Sequence, residues 1–116
     1  MDAVIETSAD DVTLARSTLA ATCEVPGVAT ISRGRYAIAR TFGLGGTVVE
    51  GVQLTHELDG LHVAVHVVVR LVPIPPLADA VRAAVAAALA GLGHPVTAVD
   101  VWVDELRVSA MEEDTP

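Results

Sequence analysis

The segment from Gly60 to Gly93 constrains the fold more than any other part of the chain. It consists of GLHVAVHVVVRLVPIPPLADAVRAAVAAALAGLG. Residues 61–72 alternate on two faces, which predicts a strand with one face buried. The prolines of PIPP stop this strand and begin a helix. The helix carries one apolar stripe, made of Leu77, Val81, Val85, Leu89 and Leu92.

The remaining segments predict one more helix and three more strands. Residues 9–23 form a predicted helix with Ser8 as its N-cap and with Val12, Ala15, Leu19 and Cys23 on its buried face. Strands are predicted at about residues 28–33, 49–58 and 96–108. Between the first two of these lies RGRYAIARTFGLGGTVVEGV, for which we predict a long loop or a ragged strand. Asp59 and Gly60 predict a two-residue turn that places Leu58 opposite Leu61.

These elements predict an α+β fold, a single two-layer domain in the order α-β-β-β-α-β. Two helices are expected to pack on one face of a small mixed sheet. The strands that flank the second helix make a crossover unit with it, which should be right-handed if the two strands are parallel. We expect the domain to span residues 9–108, between a flexible acidic N-terminus, residues 1–8, and a flexible acidic tail, residues 109–116.

Charge and cysteine content narrow the functional class. The formal net charge is −8 and the chain contains no lysine, which argues against nucleic acid as a partner because phosphate binding needs clustered cations. Cys23 is the single cysteine, so we expect a buried structural thiol and no internal disulfide. No signal peptide and no membrane span are predicted. We therefore expect the protein to stay inside the cell.

The two sheet faces differ in what they can do. The helix side of the third strand is the predicted core face, with His56 of the second strand as a hydrogen-bonded residue at its edge. The core residues predicted on the third strand are Leu61, Val63, Val65, Val67, Val69 and Leu71. The other side, called the outer face here, is predicted to carry His62, Ala64, His66, Val68 and Arg70, and also Asp100, Trp102 and Asp104. Trp102, Val68, Ala64 and Leu106 supply apolar content there, and Glu57 is expected to pair with His62. The candidate interface residues are Trp102, Val68, Ala64 and Arg70.

No motif in the sequence predicts catalysis, a cofactor or a metal. His62 and His66 are four apart on a strand, about 13 Å, too far for one zinc ion. The GLGG at residues 43–46 matches the short loop of KH-type RNA-binding domains, yet that loop joins two helices, so a turn between strands is favoured. Arg33, Arg35 and Arg40 form a basic loop that is either solvated or anion-binding. Hydrolase, Walker and zinc-protease motifs are absent.

From about Val12 to Val108 the sequence resembles the alkaline shock protein family of bacterial envelope stress proteins. The likeness consists of EVPGV after the first helix, Gly51 and Val52 opening a strand, VHVVV, the proline-introduced helix LADAVRAAVAAAL, and VDVWVDELRV. Leu71 and Val72 stand where the family often has an aromatic residue and glycine, and LGH replaces a common TGL.

The resemblance implies a self-associating, non-enzymatic scaffold in envelope stress response or envelope homeostasis. It also implies a cytoplasmic protein held at the inner face of the membrane through a partner. The implied partners are a second copy of the chain, a membrane anchor protein and paralogous family members. Two alternatives remain open, a small KH-like nucleic-acid-binding module and a ligand-sensing or metal-sensing domain that uses the histidine face.

Overall fold

A computed structural model describes residues 10–34 and 39–108 of the chain. The described part is an α+β domain with helices packed against sheets, as the sequence predicts. Its two helices are α1 (Asp11–Cys23) and α2 (Ile74–Ala90). Its six strands are β1 (Val28–Ile31), β2 (Arg40–Phe42), β3 (Val48–Glu50), β4 (Val52–Glu57), β5 (Gly60–Arg70) and β6 (Val96–Arg107). Strands β2 and β3 form a small separate sheet in the segment for which a loop or a ragged strand is predicted.

Strand β5 is the centre of the main sheet. Strand β6 runs parallel to β5 along one edge, from Leu61 to Arg70. The other edge is shared end to end by β4, which is antiparallel to Gly60–Val65, and by β1, which is antiparallel to Val67–Val69. The sheet is therefore mixed, as predicted, and the crossover from β5 through α2 to β6 joins two parallel strands.

The core lies between this sheet and the two helices. The predicted core residues of β5, namely Leu61, Val63, Val65, Val67 and Val69, are each at most 1% exposed. Leu71 is an exception because β5 ends at Arg70, and its side chain is 67% exposed. The predicted stripe of α2 is confirmed, with Leu77, Val81, Val85 and Leu89 buried and Leu92 partly buried.

The hairpin between β4 and β5 turns one residue earlier than predicted. Glu57 pairs with Gly60, so the turn is formed by Leu58 and Asp59, and Leu58 is fully exposed. Gly60 is needed inside the strand because its φ is +152° and an added Cβ would lie 2.5 Å from the carbonyl oxygen of Pro95. The shift changes each cross-strand partner by two residues, and therefore both strands keep their predicted core faces.

Helix α1 is rotated relative to the prediction. Its N-cap is Asp10, whose side chain accepts the Thr13 N–H at 2.8 Å, a contact that lowers the pKa of the Asp10 carboxyl. Ser8, the predicted cap, lies outside the described residues. The buried residues are Leu14, Ala15, Thr18 and Thr22.

The predicted buried thiol is wrong, because Cys23 is exposed. Thr18 and Thr22 can lie on the buried face because their hydroxyls are hydrogen-bonded. Thr18 donates to the carbonyl of Leu14, and Thr22 donates to the carbonyl of Thr18, so neither hydroxyl lacks a partner. A pattern that counts only apolar residues misses this face.

Gly51 lies at the junction where β4 begins beside the end of β1. Its φ is +94°, and an added Cβ would lie 2.2 Å from Cγ2 of Ile31 and 2.9 Å from the Ser32 carbonyl oxygen. We expect Gly51→Ala to lower the free energy of unfolding by roughly 1–3 kcal/mol beyond the conformational cost, because the junction cannot accept a methyl group. Chemical denaturation measures this loss. The control is Gly45→Ala, where φ is +75° but no atom lies within 4 Å of the added Cβ, and equal losses in the two variants would contradict the expectation.

Candidate interaction surface

The outer face of the sheet brings together the polar residues that the sequence places there. In the register of β5 and β6, Ala64 lies beside Asp100 and His66 lies beside Trp102. Each histidine of β5 contacts the aspartate that lies two residues after its paired residue on β6. His62 thus contacts Asp100, and His66 contacts Asp104, so two histidine–aspartate pairs follow each other along the sheet.

The pair formed by His66 and Asp104 is nearly enclosed. Nδ1 of His66 donates to Oδ2 of Asp104 at 2.9 Å, and the hydroxyl of Ser32 donates to the same oxygen at 2.8 Å. The side chains of His66 and Asp104 are only 12% and 18% exposed. The Ser32 hydroxyl oxygen in turn accepts the Gly34 N–H at 3.1 Å. This network fixes the orientation of the His66 ring.

Trp102 stacks on that fixed ring. The two ring centroids are 5.7 Å apart and the planes differ by 6°, yet Trp102 remains 54% exposed. The indole is therefore supported on one side and open on the other. A large aromatic side chain held in one orientation loses little conformational entropy when a partner covers it.

The three residues Ser32, Asp104 and His66 do not form the relay of a serine hydrolase. In that relay a histidine lies between the serine and the aspartate and takes the hydroxyl proton. Here the aspartate lies between the other two, and the serine hydroxyl donates to the carboxylate. The geometry orients the histidine and does not place its ring against the Ser32 hydroxyl.

The second pair, His62 and Asp100, is more open and carries a second carboxylate. Nε2 of His62 lies 2.8 Å from Oδ2 of Asp100, and Nδ1 lies 3.5 Å from Oε2 of Glu57, which confirms the predicted contact between Glu57 and His62. The Thr97 hydroxyl donates to the other oxygen of Glu57 at 2.8 Å. The hydrogen bond to Asp100, followed by the smaller effect of Glu57, raises the pKa of His62 above its ordinary value of 6.5.

This raised pKa predicts a pH-dependent stability. The protonated ring is favoured in the folded chain, so its contribution is fully present below pH 6.5 and is lost as the pH rises through the raised pKa. We expect His62→Gln to destabilise the fold more at slightly acidic pH than at alkaline pH. Denaturation of both proteins across this range gives the difference in the free energy of unfolding. A difference that does not shrink with rising pH would contradict the expectation.

His94→Gln serves as the matched control. It removes a histidine that contacts no carboxylate within the part of the chain that the structure describes, so the comparison isolates the carboxylate partners of His62.

The residues predicted as an interface occupy different positions. Trp102 is half-exposed and Ala64 is partly exposed. Val68 is 5% exposed, so a partner cannot contact much of its side chain. The Arg70 guanidinium donates to the carbonyl oxygen of Val28 at 3.2 Å. Trp102 thus offers the largest accessible apolar area among these four.

Leu106 lies on the opposite side of the sheet from its predicted place. The β5–β6 register shifts by one residue after Val103, so Glu105 pairs with Val68 and Leu106 pairs with Val69. This β-bulge reverses the alternation and places Leu106 on the helix side.

Burial also falls along that side of β6. Val99 is 8% exposed, Val103 is 37% exposed and Leu106 is 48% exposed.

These exposed side chains form a surface that we call the β6 patch, consisting of Trp102, Val103, Leu106 and Val108. Their exposed fractions run from 37% to 54%. Trp102 lies on the outer side of the strand and Val103 and Leu106 on the helix side, so the patch wraps around one edge of the sheet. Sequence alternation alone did not find it, because Val103 has the pattern of a core residue.

The histidines of the outer face do not gather further metal ligands in the described residues. No cluster of three or more His, Cys, Asp or Glu side chains there is suited to a metal ion. A depression of about 220 Å³ lies beside His62, Asp100 and Trp102, with Gln53 and Thr55 on its other side. Its polar atoms include the His62 and Asp100 groups that already bind each other.

The described arginines of the basic loop and the GLGG segment lie at the small sheet formed by β2 and β3. Arg33 is paired with Glu50, with Nε and Oε1 3.2 Å apart, and Arg40 lies opposite Glu50 in the β2–β3 register. Arg35 lies outside the described residues. Residues 43–46 connect strand β2 to strand β3, so the predicted turn between strands is confirmed. The hydrogen bond predicted for His56 is present, since Nε2 lies 2.9 Å from Oδ1 of Asp11, but the side chain is exposed rather than at the edge of the core.

Comparison of the chain with models of known protein families, with curated protein sequences and with solved structures found no match in any of the three. The resemblance to alkaline shock proteins therefore depends on the sequence motifs alone. Across residues 10–34 and 39–108, neither helix has the length and apolar content that a membrane crossing requires.

Proposed function

We propose that this chain is a non-enzymatic interaction domain whose function depends on self-association through strand β6. The β6 patch carries this proposal. It places three large apolar side chains on β6 and a fourth, Val108, directly after the strand, each more than a third exposed. Exposed apolar area gathered in this way is typical of an interaction site, whereas single exposed apolar residues are common on any surface.

The support beneath Trp102 adds to the proposal. Trp is enriched among the residues that dominate binding energy, and truncating such a residue costs about 2 kcal/mol or more. His66, Asp104 and Ser32 form a hydrogen-bonded base that holds the indole in place. An anchor that is already ordered in the free protein loses less entropy on binding.

The biological setting comes from the sequence resemblance. Under that resemblance the domain acts in the envelope stress response or in envelope homeostasis of a bacterium. It is cytoplasmic, and a partner holds it at the inner face of the membrane. The partners are other copies of itself, a membrane anchor protein and paralogous members of the same family.

The two alternative functions receive less support. A KH-like module needs its GxxG loop between two helices, and here residues 43–46 join two strands. A metal sensor needs converging ligands, whereas His62 and His66 each bind a different aspartate. A salt-dependent shift of RNA or stoichiometric zinc in the purified protein would favour the first or the second alternative.

Truncation of Trp102 tests the proposal. We expect Trp102→Ala to weaken self-association by at least about tenfold, the equivalent of 1.4 kcal/mol, with a small change in melting temperature because the side chain lies outside the core. Sedimentation and thermal melting of the same samples separate the two effects.

The control variant is Leu58→Ala, which removes a fully exposed apolar side chain from the β4–β5 turn. It should leave the assembly unchanged. If Trp102→Ala also leaves the assembly and partner affinity unchanged, the proposed role of the β6 patch is wrong.

A further inference from the structure

Strand β6 is an edge strand in the described part of the chain. It pairs with β5 on one side, and no described strand pairs with its other side. Near its start, Nε of Arg82 in α2 donates to the carbonyl oxygen of Val99 at 3.2 Å, so a helix side chain covers the edge there. Beyond Val99 the edge enters the β6 patch, where apolar side chains are exposed.

This edge has some of the features that prevent pairing with another chain and lacks others. Natural edge strands are protected by short length, lysine, proline, bulges, inward-pointing charges or a covering element. Strand β6 has a bulge and the Asp104 carboxylate directed toward Ser32 and His66, but it is 12 residues long and contains neither lysine nor proline. Its backbone beyond Val99 is therefore still open to pairing.

The side-chain directions along residues 101–108 are symmetric about the peptide between Asp104 and Glu105. The bulge lies at the centre of this segment, so Asp104 and Glu105 both point to the outer side. Counted from residue 101 forward or from residue 108 backward, the first four side chains therefore point to the helix side, the outer side, the helix side and the outer side. The helix side carries Val101, Val103, Leu106 and, by continued alternation, Val108, and the outer side carries Trp102, Asp104, Glu105 and Arg107. A two-fold dimer requires this kind of self-complementarity, because each residue must match a residue of the same surface.

We propose that β6 pairs antiparallel with β6 of a second copy, centred between Asp104 and Glu105, to form one continuous sheet across the dimer. This inference rests on the proposed function and specifies its geometry. The pairing places Val103 opposite Leu106 of the second copy and Val101 opposite Val108, both on the helix side. Backbone groups of the two edges then satisfy each other.

The outer side gives a second favourable match. Trp102 falls opposite Arg107 of the second copy, and a guanidinium over an indole face is attracted to it. In one copy alone Arg107 lies directly beside Arg70, a like-charge pair that an aromatic partner helps to separate. Asp104 falls opposite Glu105, and this repulsion is reduced because the Asp104 carboxylate already accepts two hydrogen bonds from its own chain.

Paired cysteines test the register. Cys23 is exposed and is first replaced by serine in every protein. One protein then carries Val103→Cys and the other Leu106→Cys, both at exposed sites that the fold tolerates. On mild oxidation of the mixture, we expect a disulfide-linked mixed dimer in several-fold excess over either homodimer, because a disulfide forms only between residues whose Cβ atoms are close.

The control mixture combines Val103→Cys with Leu58→Cys, in the exposed β4–β5 turn, and should give only traces of mixed dimer. If the unmodified chain sediments as a dimer but the first mixture shows no excess of mixed dimer, the pairing is wrong and self-association still holds. If the unmodified chain is monomeric at all concentrations, the pairing and the proposed function are both wrong. A strand of a different protein would then be the candidate partner for the β6 edge.

Discussion

Replacing Val65 with aspartate is expected to leave the chain unfolded. Val65 is 0% exposed at the middle of the central strand, where Val52 and Val101 lie beside it on the two neighbouring strands. A carboxylate there would lose its hydration among valine side chains, at a cost of several kcal/mol. Domains of this size have only about 5–15 kcal/mol of stability in total.

Circular dichroism and thermal melting measure this effect. Gln53→Asp is the matched control, because it introduces the same carboxylate on the exposed face of the adjacent strand. The control should melt cooperatively close to the unmodified protein. A Val65→Asp protein that also melts cooperatively would show that the assigned core face of β5 is wrong.

Replacing Val103 with lysine is expected to abolish self-association. Val103 is 37% exposed at the centre of the β6 patch, so the folded monomer can direct a lysine side chain into water. In the proposed dimer the same ammonium would be buried against Leu106 of the second copy. Lysine at such a position is a common means by which edge strands avoid pairing.

Sedimentation of the variant across a concentration series measures the loss. Leu58→Lys introduces the same charge at an exposed position far from the patch in sequence, and it separates a local effect from a change in net charge. We expect the Leu58 variant to associate normally. Val103→Lys that associates as tightly as the unmodified chain would rule out an interface at this edge.

The regular elements of the fold could be predicted because their patterns are long. Strand β5 alternates between buried and partly exposed residues from Leu61 to Val67, and α2 repeats an apolar residue at every turn from Leu77 to Leu89. A single substitution cannot obscure periodicity that extends over so many residues. The order of the elements gave the crossover unit of β5, α2 and β6, and the structure gives the parallel direction of its strands.

The short-range details were less predictable because tertiary contacts decide them. The approach of the Pro95 carbonyl to Gly60 moved the β4–β5 turn, and nothing near Gly60 in the sequence indicates that contact. The bulge after Val103 reversed the side of Leu106. A strict period of two has no means of indicating an inserted residue.

The two histidine–aspartate pairs could have been predicted from the spacing of these residues in the sequence. His62 and His66 are four residues apart on β5, and Asp100 and Asp104 are four residues apart on β6. Equal spacing on the outer faces of two parallel neighbours predicts two repeated contacts. The hydroxyl of Ser32 could not be predicted this way, since β1 reaches His66 only because β4 ends its pairing with β5 at Val65.

Sedimentation equilibrium of the unmodified chain tests the central claim most directly. The account predicts a reversible, concentration-dependent rise from the monomer mass of 12.0 kDa to twice that value, and no further growth because pairing uses up the free β6 edge. A single species at the monomer mass over the whole concentration range would contradict it.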